Sequence, residues 1–224
     1  MPAPIVLTKA LTAASDNAIA LNQTLAAAGA FNLNGASVSG GVATLDTQRR
    51  VIFTSAGDDH LITFTVNGTN QAGVTISETV AGTNGGIAAT SQDFYTVTAA
   101  SASGATAGNV KIGTNATGSS QWVIPDRWLV PTEISATLEF PSGAATASVE
   151  ITDDEVLVPI PIFQAGQPTT QPIPTPQAWV GLSGIGAGPT SGVINRVVAA
   201  IRLTITAGTG TVKLTLRQAG LTVS

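Results

Sequence analysis

Strict two-residue alternation of apolar and polar side chains constrains this chain more than any other feature of its sequence. The clearest case is IRLTITAGTGTVKLTLRQAG, residues 201–220, where isoleucine, leucine and valine alternate with threonine and basic residues. Successive strand residues point to opposite sheet faces, so each strand has one buried and one solvated face. Ala207-Gly208-Thr209-Gly210 supplies a turn, because glycine adopts positive φ without steric cost. The stretch predicts a C-terminal β-hairpin over residues 201–217.

Similar alternation, interrupted by turn residues about every 8–12 positions, continues back to Gly40 and is typical of a sandwich or barrel. ISATLEF and ATASVEI, for example, are predicted to pair as strands around Pro141-Ser142-Gly143. The sequence therefore predicts an all-β fold, a β-sandwich of jelly-roll-like type built from two β modules.

The predicted division of the chain follows changes in composition. Two tryptophans and two prolines near Trp122–Pro131 mark a boundary, so we expect one sandwich module over residues 36–125 and a second over 126–224. The second module contains a proline-rich segment, residues 159–176. Proline lacks the backbone donor of a sheet ladder, which favours an extended connection or an edge strand there.

Residues 1–35 are predicted to be an extended N-terminal arm, with a helix as the open alternative. Leu11, Ala14, Ala18, Leu21 and Leu25 fit a helical stripe, and short apolar segments are ambiguous by period alone. The segment has no basic region before its apolar residues, and charged and polar residues interrupt it. We therefore expect it to belong to the mature protein and to fold in a cytoplasm.

Composition argues against several function classes. Charged residues make up 10% of the chain, against about 25% in an average soluble domain, which indicates a surface covered in an assembly. The net charge is −4 and lysine is scarce, so nucleic-acid binding is not expected. The absence of cysteine excludes disulfides and thiol chemistry. No uninterrupted apolar run is long enough to span a membrane.

Reactive side chains are scarce, so we expect no enzyme, no catalytic residue, no cofactor and no metal. His60 is the only histidine, and adjacent residues in Asp58-Asp59-His60 cannot all face one ion. Asp153-Asp154-Glu155 could attract calcium but lacks spaced ligands, and a charged loop is the preferred interpretation. The glycine-rich GLSGIGAGPTSG has no lysine and precedes a strand pattern, unlike a phosphate-binding loop.

Tryptophans and arginines are the candidate interface residues. Large aromatic side chains anchor cores and interfaces, although three tryptophans could also form a sugar-stacking platform. Arginine can donate two hydrogen bonds to a carboxylate or carbonyl across an interface, or it can support its own sheet. The candidates are Arg49, Arg50, Trp122, Arg127, Trp128, Trp179, Arg196 and Arg202.

Two regions of the chain resemble recurrent modules in structural proteins of tailed bacteriophages and prophages. The first is GVATLDTQRRVIFTSAGDDHLITFTVNGTNQAGVTISETVAGTNGG with FYTVTAASASGATAGNVKIGT, and the second is SGVINRVVAAIRLTITAGTGTVKLTLRQAG. The resemblance covers roughly residues 36–120 and 190–220. The matching positions are Leu45, Asp46, Arg49, Arg50, Thr54, Gly57, Ile62, Thr63, Phe64, Val66, Gly68, Gly104, Ala105, Thr106, Arg196, Arg202, Gln218 and Gly220.

The resemblance implies a non-enzymatic virion protein that is assembled in the host cytoplasm. We expect a homo-oligomeric capsid decoration (cement) protein that bridges capsomers and contacts the major capsid protein or other virion proteins, without nucleic acid or membrane as partners. The alternatives are a head–tail adaptor, a tail or fibre component, and, from another class, a carbohydrate-binding or adhesin module.

Overall fold

The structure, a computed structural model, describes residues 5–10, 12–126, 133–154, 160–164, 167–171, 178–186 and 188–219. Every regular element in these ranges is a β-strand, and the strands pair in antiparallel fashion. The predicted all-β class is confirmed, and the arrangement is sandwich-like. Within the described residues, no helix long and apolar enough to cross a bilayer is found.

The described residues form eighteen strands, which follow one another along the chain. They are β1 Ile5–Ala10, β2 Ser15–Gln23, β3 Gly29–Ala30, β4 Val38–Ser39, β5 Val42–Asp58, β6 Thr63–Thr69, β7 Thr75–Ala81, β8 Asn84–Ala89, β9 Phe94–Ala102, β10 Val110–Ser119, β11 Glu133–Gly143, β12 Thr146–Thr152, β13 Ile160–Gln164, β14 Gln167–Gln171, β15 Val180–Gly186, β16 Thr190–Ile194, β17 Ala200–Ala207 and β18 Gly210–Ala219.

The chain divides into two compact units. Thr12–Ser119 form what we call the central unit, and Met1–Leu11 together with Ser120–Ser224 form the terminal unit. This division differs from the predicted one, in which residues 1–35 are an arm preceding modules 36–125 and 126–224. The N-terminal segment is shared, because β1 belongs to the terminal unit and β2 to the central unit.

The helical alternative for residues 1–35 is wrong where this segment is described, because residues 5–10 and 15–23 are strands. Strand β2 pairs with β10 and buries three consecutive residues, Ala18, Ile19 and Ala20. The expected helical stripe instead included Leu21, whose side chain is 45% exposed. A Cβ at Gly113 would overlap the Ser15 carbonyl oxygen, so glycine permits this close approach of β10 to β2.

The central unit contains an antiparallel sheet with the strand order β10-β5-β9-β6-β7. The 17-residue strand β5 pairs with β9 in its first half and with β8 in its second half, so one strand borders two neighbours in turn. Phe53 and Phe64 stack at a ring-centroid distance of 4.6 Å, and Phe31 packs 6.3 and 6.2 Å from them. These rings lie in a core of buried aliphatic side chains from the surrounding strands.

The terminal unit has two facing sheets. One has the order β1-β18-β11-β16, and strands β15, β12 and β17 lie side by side in the other. The buried side chains between them are aliphatic, including Leu138, Leu203 and Leu214, each at most 1% exposed. Isolated pairing of Val123 with Ile201 brings the segment that follows Ser119 onto β17.

The predicted C-terminal hairpin is wrong in its pairing, although both strands and the turn lie where they were predicted. Strand β17 pairs with β12, whereas β18 pairs with β1 and β11 in the opposite sheet. The predicted pairing of ISATLEF with ATASVEI is wrong for the same reason, since β11 and β12 lie in different sheets. Alternation specifies only that one face is buried, and two strands facing each other across a core satisfy it as well as two paired neighbours.

The two connections that cross between the sheets pack against each other. Gly143 and Gly208 both adopt positive φ, at 78° and 79°, and the Ala144 N–H donates to the Thr209 carbonyl at 2.9 Å. A Cβ at Gly208 would overlap the Ala144 carbonyl oxygen. Glycine is therefore required here both for the backbone conformation and for the close approach of the two turns.

The proline-rich segment 159–176 is described only in part. Strands β13 and β14 fall within it and pair with each other in antiparallel register from Ile160–Gln171 to Gln164–Gln167. The remainder of the segment lies outside the described residues. The described strands form a two-stranded sheet of their own, and the extended connection or edge strand expected for the whole segment stays a prediction.

Candidate interaction surfaces

Arg49 is the most buried of the candidate residues that the structure describes, with 1% of its side chain exposed. Its guanidinium donates from Nε to Asp46 Oδ1 at 2.6 Å and from Nη2 to Asp46 Oδ2 at 2.8 Å. It also donates to the Thr12 carbonyl at 2.6 Å and to the Asn115 carbonyl at 3.1 Å. Arg49 thus joins three segments of the central unit that are far apart in sequence, and we call this group the Arg49 clamp.

Asp46 completes the Arg49 clamp by accepting hydrogen bonds from Thr12 as well as from Arg49. The Thr12 backbone N–H and hydroxyl donate to its Oδ2 at 3.1 and 2.8 Å. Burial alone would raise the pKa of the Asp46 carboxyl, but the hydrogen bonds from Arg49 and Thr12 and the charge of Arg49 hold it below its ordinary value of 3.8. The carboxylate is therefore held in its charged form.

A depression of about 550 Å³ opens beside the Arg49 clamp. Small side chains such as Ala18, Ser37 and Thr44 contribute much of its lining. Both Asp46 oxygens are already hydrogen-bonded within the clamp, so the depression presents mainly small neutral groups. The arrangement is that of a structural support rather than a charged binding site.

Arg202 is the second buried arginine, in strand β17 of the terminal unit, with 9% of its side chain exposed. Its Nε and Nη2 donate to Glu150 Oε2 at 2.8 and 2.7 Å, and the Thr204 hydroxyl donates to the same oxygen at 2.7 Å. The guanidinium lies 4.2 Å from the ring centroid of Trp179, within range of a cation–π interaction. Trp179 therefore covers this ion pair on the outer face of its sheet.

The tryptophans that the structure describes do not form the flat platform that a sugar-stacking site needs. Trp122 and Trp179 are both half-buried, with ring centroids 6.1 Å apart and ring planes tilted by 33°. A sugar-stacking platform would present exposed, coplanar rings. Trp128 and Arg127, the remaining candidates of this group, lie outside the described residues.

Arg50 and Arg196 are the candidate arginines on the surface, with 43% and 53% of their side chains exposed. Arg50 Nε lies 3.7 Å from the nearly buried Asp93 Oδ1, and Arg196 Nη1 lies 3.3 Å from the exposed Asp153 Oδ2. An ion pair whose partners are both exposed, such as that of Arg196, contributes little to stability. These two arginines are therefore partly exposed to solvent, whereas Arg49 and Arg202 are engaged inside their own units.

The connection between β5 and β6, together with the last residue of β5, presents a candidate that the sequence interpretation missed. Leu61 at its tip is 85% exposed, the largest exposure among the large apolar side chains described. The signal was present in the sequence, since Ile62, Phe64 and Val66 share the buried face and alternation places Leu61 opposite them. We call residues 58–62 the Leu61 loop.

Buried Asp59 fixes the backbone of the Leu61 loop. Its Oδ1 accepts the Ala107 N–H at 2.8 Å, and its own N–H donates to the Thr83 carbonyl at 2.9 Å. The Ile62 N–H donates to the Asp59 carbonyl at 3.0 Å. A Cβ at Gly82 would overlap that same carbonyl oxygen, so the neighbouring turn packs directly against the loop.

His60 and Asp58 form a hydrogen-bonded pair on the exposed side of the Leu61 loop. The Nδ1 of His60 donates to Asp58 Oδ1 at 2.6 Å, and about half of each side chain is exposed. The hydrogen bond from His60 holds the pKa of the Asp58 carboxyl below its ordinary value of 3.8. The loop therefore offers one apolar side chain beside a polar, hydrogen-bonded pair.

The acidic triplets do not assemble metal ligands in the described part of the chain. Within those ranges, no three His, Cys, Asp or Glu side chains converge on one point. Asp58 pairs with His60 while Asp59 points into the loop. Asp153 pairs with Arg196, and Asp154 accepts the Ala178 N–H at 2.6 Å. Glu155 lies outside the described residues.

Comparisons of the chain with protein-family models, with curated proteins and with solved structures find no match.

Proposed function

We propose that this chain is a non-enzymatic structural protein of a bacteriophage virion, and specifically a capsid decoration (cement) protein that bridges and stabilises capsomers. The jelly-roll-like topology expected from the sequence belongs to the same proposal. Its partners are the major capsid protein or other virion proteins, and its location is the virion, assembled in the host cytoplasm.

The observation that carries the proposal is the fixed presentation of Leu61. Single exposed leucines are common on protein surfaces and need no explanation by themselves. Here, however, the backbone around the leucine is held by buried Asp59 and by glycine contacts, so little conformational entropy is lost when a partner covers the side chain. A pre-ordered apolar side chain of this kind suits insertion into a pocket of a neighbouring protein.

The distribution of charge supports the same proposal. Most lysines and arginines in the described ranges form ion pairs within their own unit: Arg49, Arg50, Lys111, Arg196, Arg202 and Lys213. Much of the remaining strand surface consists of Thr, Ser, Ala and Gly. Neutral faces of small residues can pack against neighbouring subunits without burying unpaired charge. Many copies on one particle would add avidity to weak individual contacts.

The first test is the copy number of the chain in purified particles, measured by quantitative mass spectrometry against the major capsid protein. The cement proposal predicts a copy number comparable to that of the major capsid protein. A handful of copies per particle would contradict cement and favour the head–tail adaptor, tail or fibre alternatives. Absence from particles would overturn the virion proposal and favour a free binding module.

A second test asks whether the Leu61 loop makes the contact with the capsid. Particles stripped of the chain would be incubated with the purified protein, and bound protein would be measured after sedimentation. Leu61→Asp is expected to weaken rebinding about tenfold or more, because an apolar anchor is replaced by a charge. Leu21→Asp is the matched control, since Leu21 is an exposed leucine elsewhere on the central unit. Equal rebinding of both variants would remove the Leu61 loop from the interface.

A further inference from the structure

The outer face of the four-stranded sheet in the terminal unit carries an unusual order of charge. Strands β11 and β18 are neighbours, and alternate residues of each point away from the buried leucines. On this face, β11 presents Glu133 and Glu139, whereas β18 presents Lys213 and Arg217. An acidic row and a basic row therefore run side by side along the strands.

These charges are only partly neutralised within the chain. Lys213 Nζ lies 2.8 Å from Glu139 Oε2, and both side chains are more than a third exposed. Glu133 and Arg217 are exposed and form no ion pair within the described residues. The face thus keeps one free charge of each sign beside a weak surface ion pair.

The remainder of the face is neutral, and a valine lies on each of its two edge strands. Ser135, Thr137 and Thr215 separate the charged side chains, and they line a shallow depression of about 450 Å³. Val6 on edge strand β1 and Val193 on edge strand β16 flank the face and are 48% and 54% exposed. Both edge valines point outward, since they pair with Thr215 and Ser135 of the central strands.

We propose that two copies of this chain pack this face against itself about a two-fold axis that runs parallel to the strands, between β11 and β18. Such an axis places the acidic row of each copy over the basic row of the other. It keeps the position along the strand unchanged, so Glu139 of one copy lies opposite Lys213 of the second. It also brings β1 over β16, with Val6 and Val193 within two residues of each other along the strands.

The charge pattern selects this arrangement over the other simple two-fold packing. An axis perpendicular to the strands would place β11 over β11 and β18 over β18, and like charges would then face each other. Like charges facing each other across an interface are strongly unfavourable. A self-complementary face of this kind is the property that an isologous dimer requires.

The dimensions of the face predict a weak dimer. Four strands spaced about 4.8 Å apart and about five residues long give a face of about 20 by 17 Å. This is smaller than the roughly 800 Å² per partner of a standard stable interface. We therefore expect dimers at high protein concentration in solution, and more readily where many copies are held close together.

The test is analytical ultracentrifugation of the full chain over a wide concentration range at low and high salt. A reversible monomer–dimer equilibrium that weakens with salt is expected. Lys213→Glu with Arg217→Glu makes the face wholly acidic, and Glu133→Lys with Glu139→Lys makes it wholly basic. Each double variant is expected to weaken self-association about tenfold or more through like-charge repulsion.

Mixing the two double variants provides the decisive control. The wholly acidic and wholly basic faces are complementary, so a heterodimer is expected at about the affinity of the unmodified chain. Lys111→Glu, a charge reversal at a partly exposed position of the central unit, should leave dimerisation unchanged, and circular dichroism checks that each variant is folded. A chain that stays monomeric at every concentration, or double variants that self-associate as well as the parent, would overturn the proposal.

Discussion

Each unit of this protein buries an arginine, but the two arginines do different work. In the central unit, Arg49 reaches backbone carbonyls 37 and 66 residues away in sequence, and so ties the start of the unit to two of its strands. In the terminal unit, Arg202 pairs with Glu150 on the adjacent strand and is covered by Trp179. The comparison shows that an arginine at a polar strand position can either link distant segments of a unit or support the neighbouring strand of its own sheet.

The two cores also differ, in how their buried side chains are distributed. The central unit packs two phenylalanine rings, Phe31 and Phe64, around Phe53, whereas the terminal unit interleaves aliphatic side chains from two facing sheets. A large ring buried at one point concentrates packing energy there, while several leucines and isoleucines distribute it. The central unit should therefore be more sensitive to a single core truncation.

The largest expected effect comes from Phe53→Ala. Phe53 is completely buried and contacts both other rings of the cluster, so its removal leaves a cavity and should cost about 3–5 kcal/mol of unfolding free energy. Ile205→Val is the mild control in the aliphatic core, expected to cost about 0.5–1.5 kcal/mol. Chemical denaturation followed by fluorescence and circular dichroism measures both. Equal losses would contradict the proposed concentration of packing energy.

The next largest effect is expected from Arg49→Met. The variant keeps the aliphatic volume, but Asp46 loses its positively charged partner and keeps only its neutral donors, and the Thr12 and Asn115 carbonyls lose the guanidinium. Breaking a buried pair costs about 3–5 kcal/mol. Since 29% of the Asp46 side chain is exposed, we expect about 2–4 kcal/mol for this pair. Lys111→Met is the control, because its exposed pair with Asp16 should change stability by less than about 1 kcal/mol. Similar losses for both variants would show that Arg49 is not a clamp.

How much of this could be predicted from the sequence depends on what alternation encodes. The period of two located the strands around Phe53, Phe64, Leu203 and Leu214, because burial of one face is a local property. The period of two did not reveal that β17 and β18 lie in opposite sheets, since it carries no information about which strands become neighbours. Strand β2 was missed because irregular register buries three consecutive residues and hides the alternation.

The candidate residues show the same limit. Arginine in a strand was identified as either an interface residue or a support of its own sheet, and nothing in the local sequence distinguishes Arg49 from its neighbour Arg50. Alternation places Arg49 and Arg50 on opposite faces of the strand. Only the tertiary contacts of Arg49 with Asp46, Thr12 and Asn115 show that its side chain is buried. Leu61 was overlooked because a leucine directly after a turn is readily assigned to the buried strand that follows it.

A third prediction concerns acid and the Arg49 clamp. The pKa of Asp46 is lower in the folded chain than its ordinary value, so the stabilisation it provides is complete above that value and is lost as pH falls through the folded pKa. Asparagine does not titrate, and the difference in unfolding free energy between the parent and Asp46→Asn should therefore shrink below about pH 4. Denaturation at pH 6 and pH 3 measures it. A difference that is the same at both pH values would contradict the lowered pKa of Asp46. In an Arg49→Met background, the pH dependence of this difference should become weaker.

The smallest expected effect is on the exposed arginines. Arg196→Ala removes an ion pair whose partners are both more than half exposed, so the unfolding free energy should change by less than about 1 kcal/mol. Arg50→Ala should cost somewhat more, because its partner Asp93 is only 6% exposed and loses a nearby positive charge. Binding of each variant to stripped particles would then be measured beside its stability. A binding loss from Arg196→Ala without a stability loss would identify a direct contact with another protein, whereas a large stability loss would mean that this arginine, like Arg49 and Arg202, supports its own unit.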